Sequence, residues 1–197
     1  MRYLAIFFLL FLICSYSSCN ECLEDVPQKY RFGVYEGSFS CKSIVKVGDT
    51  LAVSISLPLN FYDSLSSKAI QVDEGISLFI PITSYRPISD TVSVYRNFNQ
   101  HFGLNILEGS RTDVYNFACV NTGTNWNLTL HFIPKLKGSY YFSIGFQKIG
   151  ISEAALPRKV CMLGNSLFDT RLKVKADNNK IAQMFKADLN YFGLVVE

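Results

Sequence analysis

Six cysteines are the residues of this 197-residue chain best able to do chemistry, and their spacing is uneven. Cys14, Cys19 and Cys22 lie close together at the start, whereas Cys41, Cys119 and Cys161 are far apart. A thiol can bridge to another thiol, ligate a metal or take a covalent modification. Structural zinc sites draw on short C-x₂₋₄-C pairs. Cys19 and Cys22 have that spacing, as do Cys14 and Cys19, of which Cys14 lies in the apolar start; no histidine stands near the other cysteines. The pattern therefore argues against a metal. Disulfides are the alternative, and they persist where a chain is exported to an oxidising compartment.

Other reactive groups are sparse. Of the two histidines, His101 opens one expected strand and His131 lies within another, on the face opposite Trp126 and Phe132. No H-x-E or H-E-x-x-H pattern surrounds either, SIGF (143–146) does not make a G-x-S-x-G nucleophile elbow, and no phosphate-binding G-x-x-x-x-G-K-[ST] loop occurs. Asp73, Glu74, Asp90 and Asp113 sit in expected turns, where local hydrogen bonding already accounts for aspartate. Nothing in their spacing pairs them for two-carboxylate hydrolysis or arranges them as a calcium loop. Neither cofactor nor metal is expected, and the chain reads as a non-enzyme. Asn127-Leu128-Thr129 matches the N-glycosylation acceptor pattern but falls inside an expected strand.

The first residues carry an address. Arg2 is the only charge before Glu21, and Leu4 to Cys14 form an unbroken apolar run, followed by Ser15, Tyr16, Ser17 and Ser18. A positive start, a short apolar block and a small-residue cleavage zone describe a signal peptide over 1–18. The run is about half the roughly 20 apolar residues that a membrane-spanning helix needs. A cut near Ser18 would give a soluble secreted product. The other cleavage site is immediately before Cys19, where YSSC resembles a bacterial lipoprotein box. There the cysteine is lipidated and becomes the first residue of the mature chain. Tyr16 stands where that pattern prefers leucine. Boxes of this looser kind resemble those of Bacteroidota lipoproteins.

Counting then favours lipid on Cys19. Cys14 leaves with the signal, and Cys22, Cys41, Cys119 and Cys161 remain as an even set of disulfide partners with three connectivities. Pairing by nearness gives Cys22–Cys41 and Cys119–Cys161. Each bridge would contribute roughly 3–4 kcal/mol on the loop-entropy model. Without lipid, one thiol is left over.

The positioning elements are mostly strands. The chain holds 16 Phe, 11 Tyr and one Trp, a composition that suits strands better than helices. Short apolar and β-branched runs alternate with Gly, Pro, Asn, Asp and Ser. TLAVSISLP (50–58) alternates cleanly after the turn VGDT (47–50), with Pro58 ending the strand or marking an edge. WNLTLHFIP (126–134) follows the loop NTGTN (121–125) and puts Trp126, Leu128, Leu130 and Phe132 on one face. Further strands are expected at 29–35, 76–82, 91–96, 101–107, 113–120 and 168–174, with LVVE (194–197) as a last one. DSLSSK (63–68) reads as a polar connection. LKGSYYFSIGFQ (136–147) holds a turn and a strand apolar on both faces, hence central. ADNNKIAQMFKADL (176–189) reads as one helix, capped at Asn178 or Asn179, with Ile181, Met184, Phe185 and Leu189 on a stripe. The expected fold is all-β: a single antiparallel, immunoglobulin-like β-sandwich over 29–197, after a tether at 19–28, with a short C-terminal helix. A small closed barrel is the competing architecture.

KYRFGVY, KVGDTLAVSISLP and FIPKLKGSYYFSIG, taken with YSSC, resemble a group of uncharacterised Bacteroidota lipoproteins. The resemblance implies a surface or periplasmic β-sandwich and transfers no activity and no catalytic residue. Charge is nearly balanced, with 19 Lys+Arg against 16 Asp+Glu for a net +3. The densest basic stretch, RLKVK (171–175), alternates with Leu172 and Val174 as a strand with one wet face. No basic stripe for nucleic acid is present. The expected function is that of an exported envelope protein, lipid-anchored to the outer membrane through Cys19 and acting as a binding or accessory module on a protein or glycan partner. The alternatives are a soluble secreted sandwich and a carbohydrate-binding protein of a glycan-uptake system, stacking sugars on Tyr85, Tyr95, Tyr115, Trp126, Tyr140 and Tyr141.

Overall fold

Period-two alternation of apolar and polar residues builds nearly every element of the computed structural model, which describes residues 30–40, 42–85, 92–94, 98–152, 168–176 and 191–197. In chain order the strands are β1 (Tyr30–Ser40), β2 (Ile44–Val45), β3 (Leu51–Pro58), β4 (Asn60–Asp63), β5 (Lys68–Gln71), β6 (Gly75–Phe79), β7 (Ile82–Tyr85) and β8 (Val92–Val94). One helical turn, α1 (Phe98–His101), precedes β9 (Phe102–Glu108), β10 (Ser110–Arg111), β11 (Asn116–Ala118) and β12 (Val120–Asn121). The rest are β13 (Asn125–Pro134), β14 (Gly138–Ser143), β15 (Gly145–Gly150), β16 (Phe168–Ala176) and β17 (Tyr191–Val196).

One layer is a six-stranded sheet in the order β12-β13-β3-β1-β16, with β9 also paired to β13. Facing it are a five-stranded sheet, β2-β17-β14-β7-β8, and a four-stranded one, β10-β11-β6-β15. These two are continuations of each other. The chain runs from β6 into β7 across Ile80 and Pro81, and from β14 into β15 across Ile144, so two long strands change sheet at a kink. None of the described sheets closes into a barrel, and the architecture is sandwich-like.

The core lies between the layers. Phe39 of β1 meets Phe142 of β14 and Phe192 of β17, with ring centroids 5.2 Å and 5.3 Å apart. Phe102 of β9 and Phe132 of β13 reach the same Phe142 at 5.5 Å and 5.3 Å. Edge-to-face and tilted rings of this kind add to burial because the positive edge of one ring meets the negative face of another. β14 is the central strand of its sheet, but β15, the rest of the single central strand expected there, lies at an edge of the four-stranded sheet; β17 forms the expected last strand.

Three expectations need correction. The sandwich is not wholly antiparallel: β1 runs parallel to β16, and β17 parallel to β2. The single strand expected at 76–82 divides into β6 and β7, which belong to different sheets, whereas Pro58 ends β3 as one of its two expected roles. The single strand expected at 113–120 divides in two, because β11 belongs to one layer and β12 to the other. The C-terminal helix expected at 176–189 lies outside the described residues beyond Ala176, which ends β16. The segments 1–18 and 19–28 also lie outside them.

Residues 63–68 do more than connect. They close the β4–β5 ribbon around Asp63, a buried carboxylate. Its oxygens accept the backbone N–H groups of Arg31 (2.8 Å), Leu65 (3.3 Å) and Ser66 (3.0 Å). One side chain thus ties the start of β1 to the ribbon.

Candidate functional site

Alternation along β13 turns Trp126, Leu128, Leu130 and Phe132 into the core and leaves Asn125, Asn127, Thr129 and His131 on the outer face of the six-stranded sheet. β3 runs beside it with Ser56 opposite Asn127, Ser54 opposite Thr129 and Ala52 opposite His131. On its other side β9 pairs in regular register until a bulge intervenes. Thr129 lies opposite Glu108 and Leu130 opposite Ile106, so Leu107 is an extra residue. A bulge re-aims the side chain beside it. Here it puts the Glu108 carboxylate on the same face as Thr129.

Gly109 holds the other flank. Its φ is +90°, and a Cβ there would stand 2.5 Å from the Ala118 carbonyl oxygen and 2.6 Å from Leu128 Cδ1. The chain leaves the six-stranded sheet at Gly109 and returns to it at Cys119, so both are crossing points between the layers. Gly109→Ala meets both the left-handed φ and the clash. It is expected to cost about 2–3 kcal/mol, read as a lowered urea midpoint.

A continuous chain of hydrogen bonds follows from this placement. Asn125 Nδ2 donates to Ser56 Oγ (3.1 Å), and Ser56 Oγ donates to Asn127 Oδ1 (2.9 Å). Asn127 Nδ2 donates to Glu108 Oε1 (3.5 Å), and Thr129 Oγ1 donates to Glu108 Oε2 (2.7 Å). Three strands contribute. Two aliphatic side chains, Leu107 and Val120, stand 60% and 40% exposed in the bulge and opposite Asn127.

The residues singled out from sequence are distributed differently. Trp126 is only 7% exposed, and its Nε1 donates to the Val72 carbonyl (3.3 Å). Tyr140 is buried, with its hydroxyl donating to the Leu136 carbonyl (3.1 Å). Tyr115 and Tyr141 are half-buried. Tyr95 and the side chain of Tyr85 lie outside the described residues. Trp126 and Tyr140 are packing residues and offer no exposed ring to a sugar.

His101 closes α1 with Nδ1 3.2 Å from the Tyr140 hydroxyl. That hydroxyl also reaches the Leu136 carbonyl, and burial lowers the histidine's pKa. His131 stands on the outer face between Ala52 and Asn105.

Asp73 accepts both the amide (2.8 Å) and the hydroxyl (2.6 Å) of Ser152, which hold its carboxyl below the ordinary aspartate value. Asp113 accepts the neighbouring Val114 N–H (2.6 Å). Asp90 lies outside the described residues. Among the described residues no three of His, Cys, Asp and Glu come together as a metal site would require.

Cys119 is buried at its crossing point without a disulfide partner among the described residues, and burial pushes the thiol's pKa up to about 12. Cys161, its expected partner, lies outside the described residues, as do Cys14, Cys19, Cys22 and Cys41. Glu108, Ser56 and Asn125 escape the sequence reading, and Asn127 and Thr129 enter it only as a glycosylation pattern. Asn at both 125 and 127 was the available signal, since asparagine is depleted in strands. Comparison with known protein families and with curated proteins finds no match for the chain.

Proposed function

We propose that this is a non-enzymatic envelope protein, exported by its first 18 residues, tethered to the outer membrane by lipid on Cys19, and working as a binding or accessory module. The observation that carries the binding role is the interlocked polar face around Glu108. Side chains locked by neighbours on a rigid sheet lose little freedom when a partner engages them. The tether rests on the apolar run that ends in YSSC and on its likeness to Bacteroidota lipoproteins. A soluble secreted product is the competing form.

The finer architecture belongs to the same reading: an immunoglobulin-like sandwich with a short helix before β17. Bridging among Cys22, Cys41, Cys119 and Cys161 is part of it too, and the pairing by nearness requires Cys161 to reach the layer crossing where Cys119 is buried.

The test compares the native chain with Cys19→Ser in the native host. The native chain is expected to take up labelled fatty acid and partition into the detergent phase, and the variant to lose both. A native chain that is unlabelled and water-soluble overturns the tether.

A further inference from the structure

We infer that the Glu108 network is a binding site for a saccharide, a ligand that presents vicinal hydroxyls. The inference deepens the binding-module reading above and rests on it. Four observations converge on these five side chains.

The first is composition. Asn125, Asn127 and Glu108 occupy strand positions where their residue types are depleted. Breaks of a local rule collect at functional sites. The second is backbone construction. The Leu107 bulge and the obligatory glycine at 109 flank Glu108 and fix its direction.

The third is unused bonding capacity. Each asparagine amide gives one of its two N–H groups to the network, which leaves the other; the side-chain oxygen Asn125 Oδ1 accepts no bond among the described residues, whereas the backbone oxygen of Asn125 takes the Thr122 amide and hydroxyl. Each Glu108 oxygen accepts once, so roughly half of the about four lone-pair sites of the carboxylate stay open. Ser54, exposed beside Thr129, adds a hydroxyl. Donors and acceptors therefore alternate over one face of the sheet.

The fourth is complementarity. A sugar hydroxyl both donates and accepts, so it suits such alternation, and an ionised carboxylate strengthens the bond it receives. Leu107 and Val120 offer aliphatic surface for the C–H face of a ring. Anionic polymers fit poorly, because the carboxylate is central. Lys173 and Lys175 stand across the sheet on β16, and Lys175 already pairs with Glu36 (2.6 Å). A peptide adding as a strand would engage the backbone edge of β9 or β12 and leave the side-chain face of β3 and β13, where Ser56, Asn125, Asn127 and Thr129 stand, untouched.

The experiment takes the full mature protein, purified from native membranes in detergent, onto a broad glycan array. Calorimetry follows with the best-bound glycan. Glu108→Gln keeps the shape and removes the charge; it is expected to weaken binding about ten-fold or more. Asn125→Ala weakens it less, Lys175→Ala leaves it unchanged, and all three keep the native unfolding midpoint. Absence of binding across the array, or equal binding by Glu108→Gln, overturns the site. A photo-crosslinker at Ser54 separates the two readings. A protein captured there without any glycan binding overturns the saccharide class and leaves the binding module standing; capture of nothing, with an empty array, removes both.

Discussion

Phe142→Ala is expected to remove about 3–5 kcal/mol of stability. The ring is fully buried and meets Phe39, Phe102 and Phe132 from the opposite layer. Truncation takes away the transfer energy of the ring, leaves a cavity that rigid strands collapse into poorly, and cuts three ring contacts at once. A protein of this size has roughly 5–15 kcal/mol in total. The loss should therefore appear as a urea midpoint shifted far down at unchanged slope, and a melting temperature lower by about 10 °C or more. Phe142→Leu, which keeps apolar volume, should lose clearly less. Equal losses in the two variants would mean that the rings do not interlock as described.

Asp63→Ala is expected to cost about 3–4 kcal/mol, because three backbone N–H groups lose their acceptor inside the fold. Burial alone would raise the pKa of this carboxyl. The Ser66 side chain and the amides of Arg31, Ser66 and Leu65 outweigh it and hold the group below the ordinary aspartate value. The Ser66 hydroxyl has no hydrogen-bond partner by geometry, so the three amides carry the effect.

A folded pKa below the unfolded one gives stability that is complete above the unfolded value, about 3.9, and is lost as pH falls through the folded value. Wild type should therefore lose stability below about pH 4 more steeply than Asp63→Asn, and the gap between them should narrow on acidification. Parallel pH profiles would contradict the assignment. Arg31 brings only its backbone to Asp63 in these bonds, so added salt should change the difference little.

Local pattern made much of the fold legible and long-range pairing made the rest illegible. β3 and β13 follow from strict alternation, and the VGDT turn from a glycine that adopts φ +90° with Asp49 accepting the Lys46 amide (2.8 Å). The wet face of RLKVK and the central place of β14 also followed from side-chain pattern. The parallel partnership of β1 with β16 joins segments from opposite ends of the chain, and no local signal reports such a pair. The kink across Ile80 and Pro81 looks in sequence like one continuous apolar run.

Asp63 was hidden for a different reason. An aspartate in a polar stretch looks like a turn residue, and only tertiary structure shows that its acceptors face inward. The candidate site was hidden by the bulge. With regular pairing beyond Leu130, Leu107 would lie opposite Thr129, and Glu108 would miss Thr129 and Asn127. Trp126 shows the converse: one tryptophan on a β-rich chain suggests a sugar platform, yet the alternation that places it in a strand also turns it into the core.

Intact mass and N-terminal peptide analysis of the protein from its own host tests the central claim most directly. The account predicts a mature chain that begins at an acylated Cys19. A free amino terminus at Ser18 or nearby, with an unmodified Cys19, would contradict it, return that thiol to the disulfide pool and make the protein a soluble secreted one.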